Sequence, residues 1–162
     1  MDDDDLDRPQ GGRFTGSEHR FPLRVYFEDT DLSGVVYHAN YLRYMERARS
    51  DMLRVAGIDQ RATIEAGEGA YAIVDLAIRY RAPAKLDDAL IVVSQVTRAS
   101  PASVVIHQTV RRGAVVLTQA DVTAALVAPS GRPMRQPRAW LDIYQRLVAL
   151  GDQELRSLEG NA

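Results

Sequence analysis

Residues 39–56 read as one long amphipathic helix, and most of the chain beyond it reads as strand. Leu42, Met45, Ala48, Met52 and Ala56 step by three and four, with Tyr41 and Leu53 alongside, and Gly57 is a suitable stop. Arg47 and Asp51 read as a pair on the polar side. A stripe of that length must lie on something. Residues 22–28 read as a strand before it. After it, Val74, Leu76, Ile78 and Tyr80 alternate with Asp75, Ala77, Arg79 and Arg81, the period of a half-buried strand, which Pro83 ends. Further strands are predicted over 89–98, 103–111 and 114–128, separated by turns at Ala99–Ala102 and Arg112-Gly113. A helix over about 138–149 and a frayed tail complete the chain. The order is strand, long helix, four antiparallel strands in a meander, helix. An α+β architecture satisfies it, with a curved antiparallel sheet wrapped around one long central helix.

The 162 residues suggest one domain, and a 46% hydrophobic content is enough for a core. Residues 1–20 are polar, with six acids and three arginines, and are expected to be a disordered acidic tail. The domain is then 21–150, with a C-terminal tail over 151–162. The formal net charge is −2, and beyond residue 20 there are 17 basic and 16 acidic residues. Such a body is not a basic nucleic-acid binder. Lys85 is the only lysine, and arginine suits phosphate recognition, although a compositional bias explains this equally well. The absence of cysteine excludes disulfides, a thiol nucleophile and cysteine metal sites. The acidic N-terminus is not a signal peptide, and no apolar run approaches the ~18 residues of a membrane span. A soluble, cytoplasmic protein is expected.

The chemistry concentrates between Val25 and Tyr41, where a strand leads through an acidic turn into the start of the helix. Asp31 lies three residues before Gly34 and seven before His38. Gly34 lets the chain turn sharply and approach a ligand. N–H groups near His38, Ala39 and Asn40 have no intrahelical acceptor, and the positive end of the helix dipole lies behind them. A thioester carbonyl seated there would be polarised, and its oxyanion stabilised. Asp31 would then attack the carbonyl directly or deprotonate a water. A thiolate leaving group has a pKa near ~8.5 and needs no strong general acid. This equipment suits a thioester better than an amide. The competing account makes Asp29, Asp31 and Asn40 turn and cap residues that merely start a helix.

His38 could contribute its N–H to the carbonyl and its ring to the carboxylate. Tyr37, Asn40 and Tyr41 flank it as candidate substrate-binding residues. Glu46, two turns on, could be a second carboxylate of the pocket, though such a residue more often faces solvent or an interface. No metal site is expected, since no second histidine is near and the spacing of Asp29, Asp31 and His38 matches no common ligand set. His107, within an alternating strand, reads as structural or surface. Arg79, Arg81, Lys85 and Arg98 could receive the phosphates of a carrier such as coenzyme A, or could be ordinary solvated residues of a sheet face.

Tyr26-Phe27-Glu28-Asp29-Thr30-Asp31, then Gly34-Val35-Val36-Tyr37-His38, Asn40-Tyr41 and Glu46-Arg47-Ala48-Arg49 resemble the signature of hotdog-fold acyl-CoA thioesterases. The branch is the one associated with the Tol–Pal system, related to 4-hydroxybenzoyl-CoA thioesterase. The resemblance spans about residues 22–145 and includes the stretch Tyr80–Asp88. It implies a hotdog fold, a catalytic carboxylate at Asp31 rather than Asp29, and a carbonyl-polarising N–H at His38, with an assisting role for its ring. It implies dimers with sheets joined edge to edge, often paired into homotetramers, with active sites at the dimer interface. Acyl-CoA is the implied substrate, with acyl-carrier protein as an alternative carrier. No separate cofactor is implied, coenzyme A being part of the substrate. Leu32-Ser33 departs from the family's turn, and the N-terminal extension is additional. Two rivals stay open: a binding module that keeps the fold without turnover, and a hydratase using His38 with Glu46. Acyl length is not legible in the sequence.

Overall fold

A computed structural model describes residues 3–162, with side chains from Asp5 onward. The elements in chain order are α1 (Asp3–Leu6), β1 (Arg13–Thr15), β2 (Glu18–Arg24), a 3-10 turn (Phe27–Asp29), α2 (His38–Val55), α3 (Gln60–Glu65), β3 (Ala70–Tyr80), β4 (Ala89–Ala99), β5 (Val104–Arg112), β6 (Val115–Val127) and α4 (Arg138–Glu159). The six strands form one antiparallel sheet in the order β1-β2-β4-β5-β6-β3. It curls around α2 in the hotdog architecture.

The apolar stripe on α2 is what holds it there. Tyr41, Tyr44, Met45 and Ala48 are buried against Leu90 and Val92 of β4 and Val110 of β5. Met52 and Leu53, a turn further on, pack with Ile58, Val96, Val104 and Ile106. Burying each large side chain is worth about 1.5–3 kcal/mol, well above the few tenths that separate ordinary helix propensities. The helix stops where expected. Gly57 donates to the Arg54 carbonyl and Ile58 to the Leu53 carbonyl, closing a Schellman motif whose apolar contact is Leu53 with Ile58.

Several expectations need correction. The acidic tail does not reach residue 20: β1 and β2 pair as a hairpin, and Ser17 and His19 are buried. Long-range bonds order it, because the Gly12 N–H and the His19 ring both reach Asp51, and Ser17 bonds Glu154. Residues 1 and 2 of that tail lie outside the described residues. The C-terminal tail is also structured, since α4 continues to Glu159. The meander holds only for β4-β5-β6, while β3 lies at the far edge beside β6 and β4 pairs with β2. Strand periodicity specifies faces and not neighbours, so it could not have placed β3. Nor is β3 half-buried over Val74, Leu76 and Tyr80, which are all exposed along this edge. Asp51 is not the exposed partner of Arg47. It is buried, with His19, Gly12 and Arg54 around it. Among the described residues no helix is long and apolar enough to cross a membrane.

Candidate active site

The turn before α2 is held by its own backbone. The Asp31 N–H donates to the Val35 carbonyl at 3.0 Å, and the Gly34 N–H returns to the Asp31 carbonyl at 3.0 Å. Gly34 has φ +80°, which a side chain would strain. Val36 N–H bonds the Ala84 carbonyl at 2.9 Å, and Val35 pairs with Lys85, so the segment after β3 buttresses this loop.

Asp29 is buried and committed to the loop. Its Oδ2 accepts from the Tyr26 N–H at 2.8 Å, and its carbonyl accepts from the Tyr37 N–H and the Asn40 amide, each at 2.9 Å. Asp31 differs. Its carboxylate is open to solvent, and its Oδ1 accepts from the Ser33 N–H at 2.8 Å and from the Ser33 hydroxyl. The hydroxyl bond, then the N–H bond, hold Asp31 below the ordinary aspartate range, with a smaller contribution from His38 nearby.

His38 opens α2, and the residue before it offers no side-chain cap. Among the described residues no acceptor takes the His38 N–H, so it points out of the first turn unpaired. The His38 ring lies 4.5 Å from the Tyr37 ring and 6.3 Å from that of Tyr80, centroid to centroid. The Tyr80 hydroxyl donates to the His38 carbonyl at 3.0 Å. An ionised, exposed carboxylate and an unpaired helix-start N–H thus stand at one end of α2. This pair can deliver a nucleophile or base to a carbonyl and stabilise the resulting oxyanion.

Of the candidate substrate-binding residues, Tyr37 is exposed beside His38. Asn40 and Tyr41 are buried supports rather than ligand-facing groups: the Asn40 amide holds the Asp29 carbonyl, and the Tyr41 hydroxyl accepts from the Ala84 N–H at 2.9 Å. Glu46 is exposed and bound to Arg49. Arg49 is itself buried and donates to Gln108 Oε1 at 2.8 Å, while the Gln108 amide donates to the Ser94 hydroxyl and the Met45 carbonyl. Lys85 lies beside the acidic turn, whereas Arg98 sits near the opposite end of β4, about 30 Å along the strand. Arg81 is engaged with Gln119. His107 pairs with Asp121 on the outer sheet surface. Among the described residues no three metal-ligating side chains gather.

Two residues of the site escaped the sequence reading. Ser33, whose hydroxyl and N–H bond the Asp31 carboxylate, stood out in the sequence only as a departure within the turn. Tyr80, which braces His38, lay in a stretch that carried the resemblance without a role. A small cleft of about 70 Å³ opens further along α2, between its flank and the sheet, with Glu46, Arg49, Leu53, Tyr71 and Ile73 on its walls.

Comparison with known proteins gives the family. The family model described as Thioesterase superfamily matches residues 33–118. The acyl-CoA thioesterase YbgC of Haemophilus influenzae is 43% identical over 107 residues, covering 66% of this chain and 79% of that protein. An acyl-CoA thioester hydrolase YbgC of Escherichia coli is 40% identical over 111 residues, covering 68% and 82%. A solved probable thioesterase from Bartonella henselae superposes with a TM-score of 0.70 at 35% identity, covering 74% of this chain and 99% of that one.

Proposed function

Because this chain belongs to the thioesterase superfamily and is a thioester hydrolase, we propose that it cleaves acyl-coenzyme A with Asp31 as nucleophile or general base and the His38 N–H in the oxyanion site. The single observation behind the mechanism is the pairing of an exposed, readily ionised carboxylate with an unpaired N–H at the start of α2.

The substrate carbonyl accepts the His38 N–H and becomes more electrophilic. In one route Asp31 takes a proton from water, and the water oxygen bonds to the carbonyl carbon. In the other, Asp31 oxygen makes that bond and the resulting anhydride is hydrolysed. Either way the tetrahedral oxyanion collapses with the C–S electrons leaving on sulfur as coenzyme A thiolate. No separate cofactor enters, coenzyme A being part of the substrate; an acyl-carrier protein is an alternative carrier of the same thioester. Lys85, beside the turn, is the basic residue best situated to meet carrier phosphates.

Self-association belongs to the same reading. β3 is an edge strand of eleven residues with Val74, Leu76 and Tyr80 exposed along it, and Phe27 and Leu32 project from the site loop into solvent. Edge-to-edge pairing through β3 would cover this apolar surface and bring a second subunit to each site.

The test is thiol release from acyl-CoAs by wild type and Asp31→Asn. A loss on the order of a thousandfold in kcat, with folding and acyl-CoA binding retained, is expected. Unaltered turnover in that variant removes Asp31 from the mechanism.

A further inference from the structure

We infer that Tyr80 is a positioning residue for the thioester: its hydroxyl, bonded to the His38 carbonyl, primes the Ala39 N–H as a second donor to the substrate oxygen beside the His38 N–H. The inference rests on the assignment of the start of α2 as the oxyanion site.

Three N–H groups open α2, and the structure separates them. That of Asn40 is engaged, donating to the Tyr37 carbonyl at 2.8 Å. Those of His38 and Ala39 meet no acceptor among the described residues, and both point out of the first turn. A carbonyl oxygen has two lone pairs and accepts two such donors.

Each of these two N–H groups belongs to a peptide whose carbonyl accepts a bond of its own. The His38 N–H shares its peptide with the Tyr37 carbonyl, which the Asn40 N–H holds. The Ala39 N–H shares its peptide with the His38 carbonyl, which takes the Tyr80 hydroxyl at 3.0 Å. A helix carbonyl ordinarily serves the N–H four residues on, so Tyr80 is an additional donor there. Electron density drawn to that oxygen leaves the Ala39 N–H more positive, a strengthening of about 10–30% per bond. Such a donor matters most when the substrate oxygen carries its full charge, in the tetrahedral intermediate.

The sheet delivers Tyr80 to this contact. The β3 ladder shifts once, between Ile73 and Asp75, and then runs unbroken to Tyr80. Tyr80 lies opposite the buried Thr118, in the inner row that also holds Leu76 and Ile78. Its ring meets that of Tyr41 edge-on at 5.6 Å and that of His38 at 6.3 Å, centroid to centroid, so the ring is held without its hydroxyl. Burial first, and Tyr41 second, hold Tyr80 above the ordinary tyrosine range, and the hydroxyl keeps the proton that it donates.

The experiment compares wild type, Tyr80→Phe, Ala39→Pro and the double variant. Proline deletes the Ala39 N–H and is tolerated in the first turn of a helix. kcat and KM are measured for the acyl-CoA that wild type turns over fastest. Infrared spectroscopy follows the isotope-labelled carbonyl of a butyryl-CoA analogue with a methylene in place of the thioester sulfur, which is bound and not cleaved. Expected for Tyr80→Phe are a kcat lower on the order of fivefold, a KM within about twofold, and a carbonyl stretch moved from its wild-type position toward that of the unbound analogue. Ala39→Pro should lower kcat on the order of a hundredfold, and Tyr80→Phe should add nothing in that background. An unchanged kcat in Tyr80→Phe, a loss carried by KM alone, or an equal loss with and without Ala39→Pro overturns the role. If Ala39→Pro does not fold, turnover and the carbonyl stretch of Tyr80→Phe decide. The spectra need no turnover. A stretch displaced in wild type and equally in Tyr80→Phe removes Tyr80 alone, whereas a stretch that wild type leaves at the unbound position removes the oxyanion site itself, and Tyr80 with it.

Discussion

His19 Nε2 lies 2.8 Å from Asp51 Oδ2, both groups shielded from solvent, and the contact ties β2 to the C-terminal part of α2. Asp51 also accepts from the Gly12 N–H at 2.8 Å and from Arg54, so one carboxylate gathers the N-terminal hairpin onto the central helix. Removing the imidazole leaves a buried carboxylate short of a partner. His19→Ala is expected to cost about 2–4 kcal/mol in urea unfolding. A loss within experimental error would mean that Gly12 and Arg54 suffice.

The same pair gives stability a pH dependence. Burial holds His19 below its ordinary value of 6.5, against the opposing pull of Asp51. Among the described residues its Nδ1 has no partner, which suits the bare lone pair of a neutral ring and not the second N–H of an imidazolium. Below pH 6.5 the unfolded chain therefore takes up a proton that the folded chain resists, so stability falls as pH drops through this window. Asp51, held below 3.8 by its hydrogen bonds, adds a second loss as pH falls below that value. Urea titrations between about pH 7.5 and 5 should show a decline in wild type that is absent in His19→Phe.

Ser33 holds Asp31 below its ordinary value through its hydroxyl first and its N–H second. Ser33→Ala removes the hydroxyl bond and leaves the backbone bond. The Asp31 carboxyl, followed by NMR titration of its side-chain carbon, should move upward toward 3.8 without reaching it. Turnover at neutral pH should change little, because the carboxylate remains ionised there.

Gln108 is a junction inside the core, joined to Arg49, Ser94 and the Met45 carbonyl. Gln108→Leu strands three polar groups and should cost about 3 kcal/mol. Adding Arg49→Leu should recover part of that loss, a non-additivity that a double-mutant cycle reads directly.

What was legible in the sequence is what depends on near neighbours. The stripe of α2, its stop at Gly57, the hairpins β4-β5-β6 and the acidic turn at Asp31 all rest on spacings of a few residues. What was illegible depends on distant partners. β1 is three residues long, and the first strand was expected over 22–28, whereas β2 runs Glu18–Arg24 and is fastened through His19 to Asp51. Asp51 looked like a surface residue because nothing adjacent reveals a histidine thirty-two positions earlier. The α4 helix was cut short near Gly151, which instead continues it and lets Ser17 and Gln95 approach: a Cβ there would sit 2.8 Å from the Gln95 amide. α3 is six residues with a single Asp59 cap, too brief for periodicity to register. Asp31 and His38, the two halves of the proposed catalytic arrangement, are seven residues apart and could be read together, whereas Tyr80 reaches His38 across forty-two.

The shift at Val74 means that β3 holds one residue more than its ladder uses. Asp75 and Ile73 already face consecutive positions on β6, Thr123 and Ala124. Excising Val74 would join them without reassigning any partner, so this strand can be shortened at one point and keep its inner row intact. Excising Ala77 instead would turn every residue on one side of the cut inside out. Length variation in this strand should therefore be accepted at a single position, which makes Val74 a hinge of tolerance within an otherwise unforgiving register.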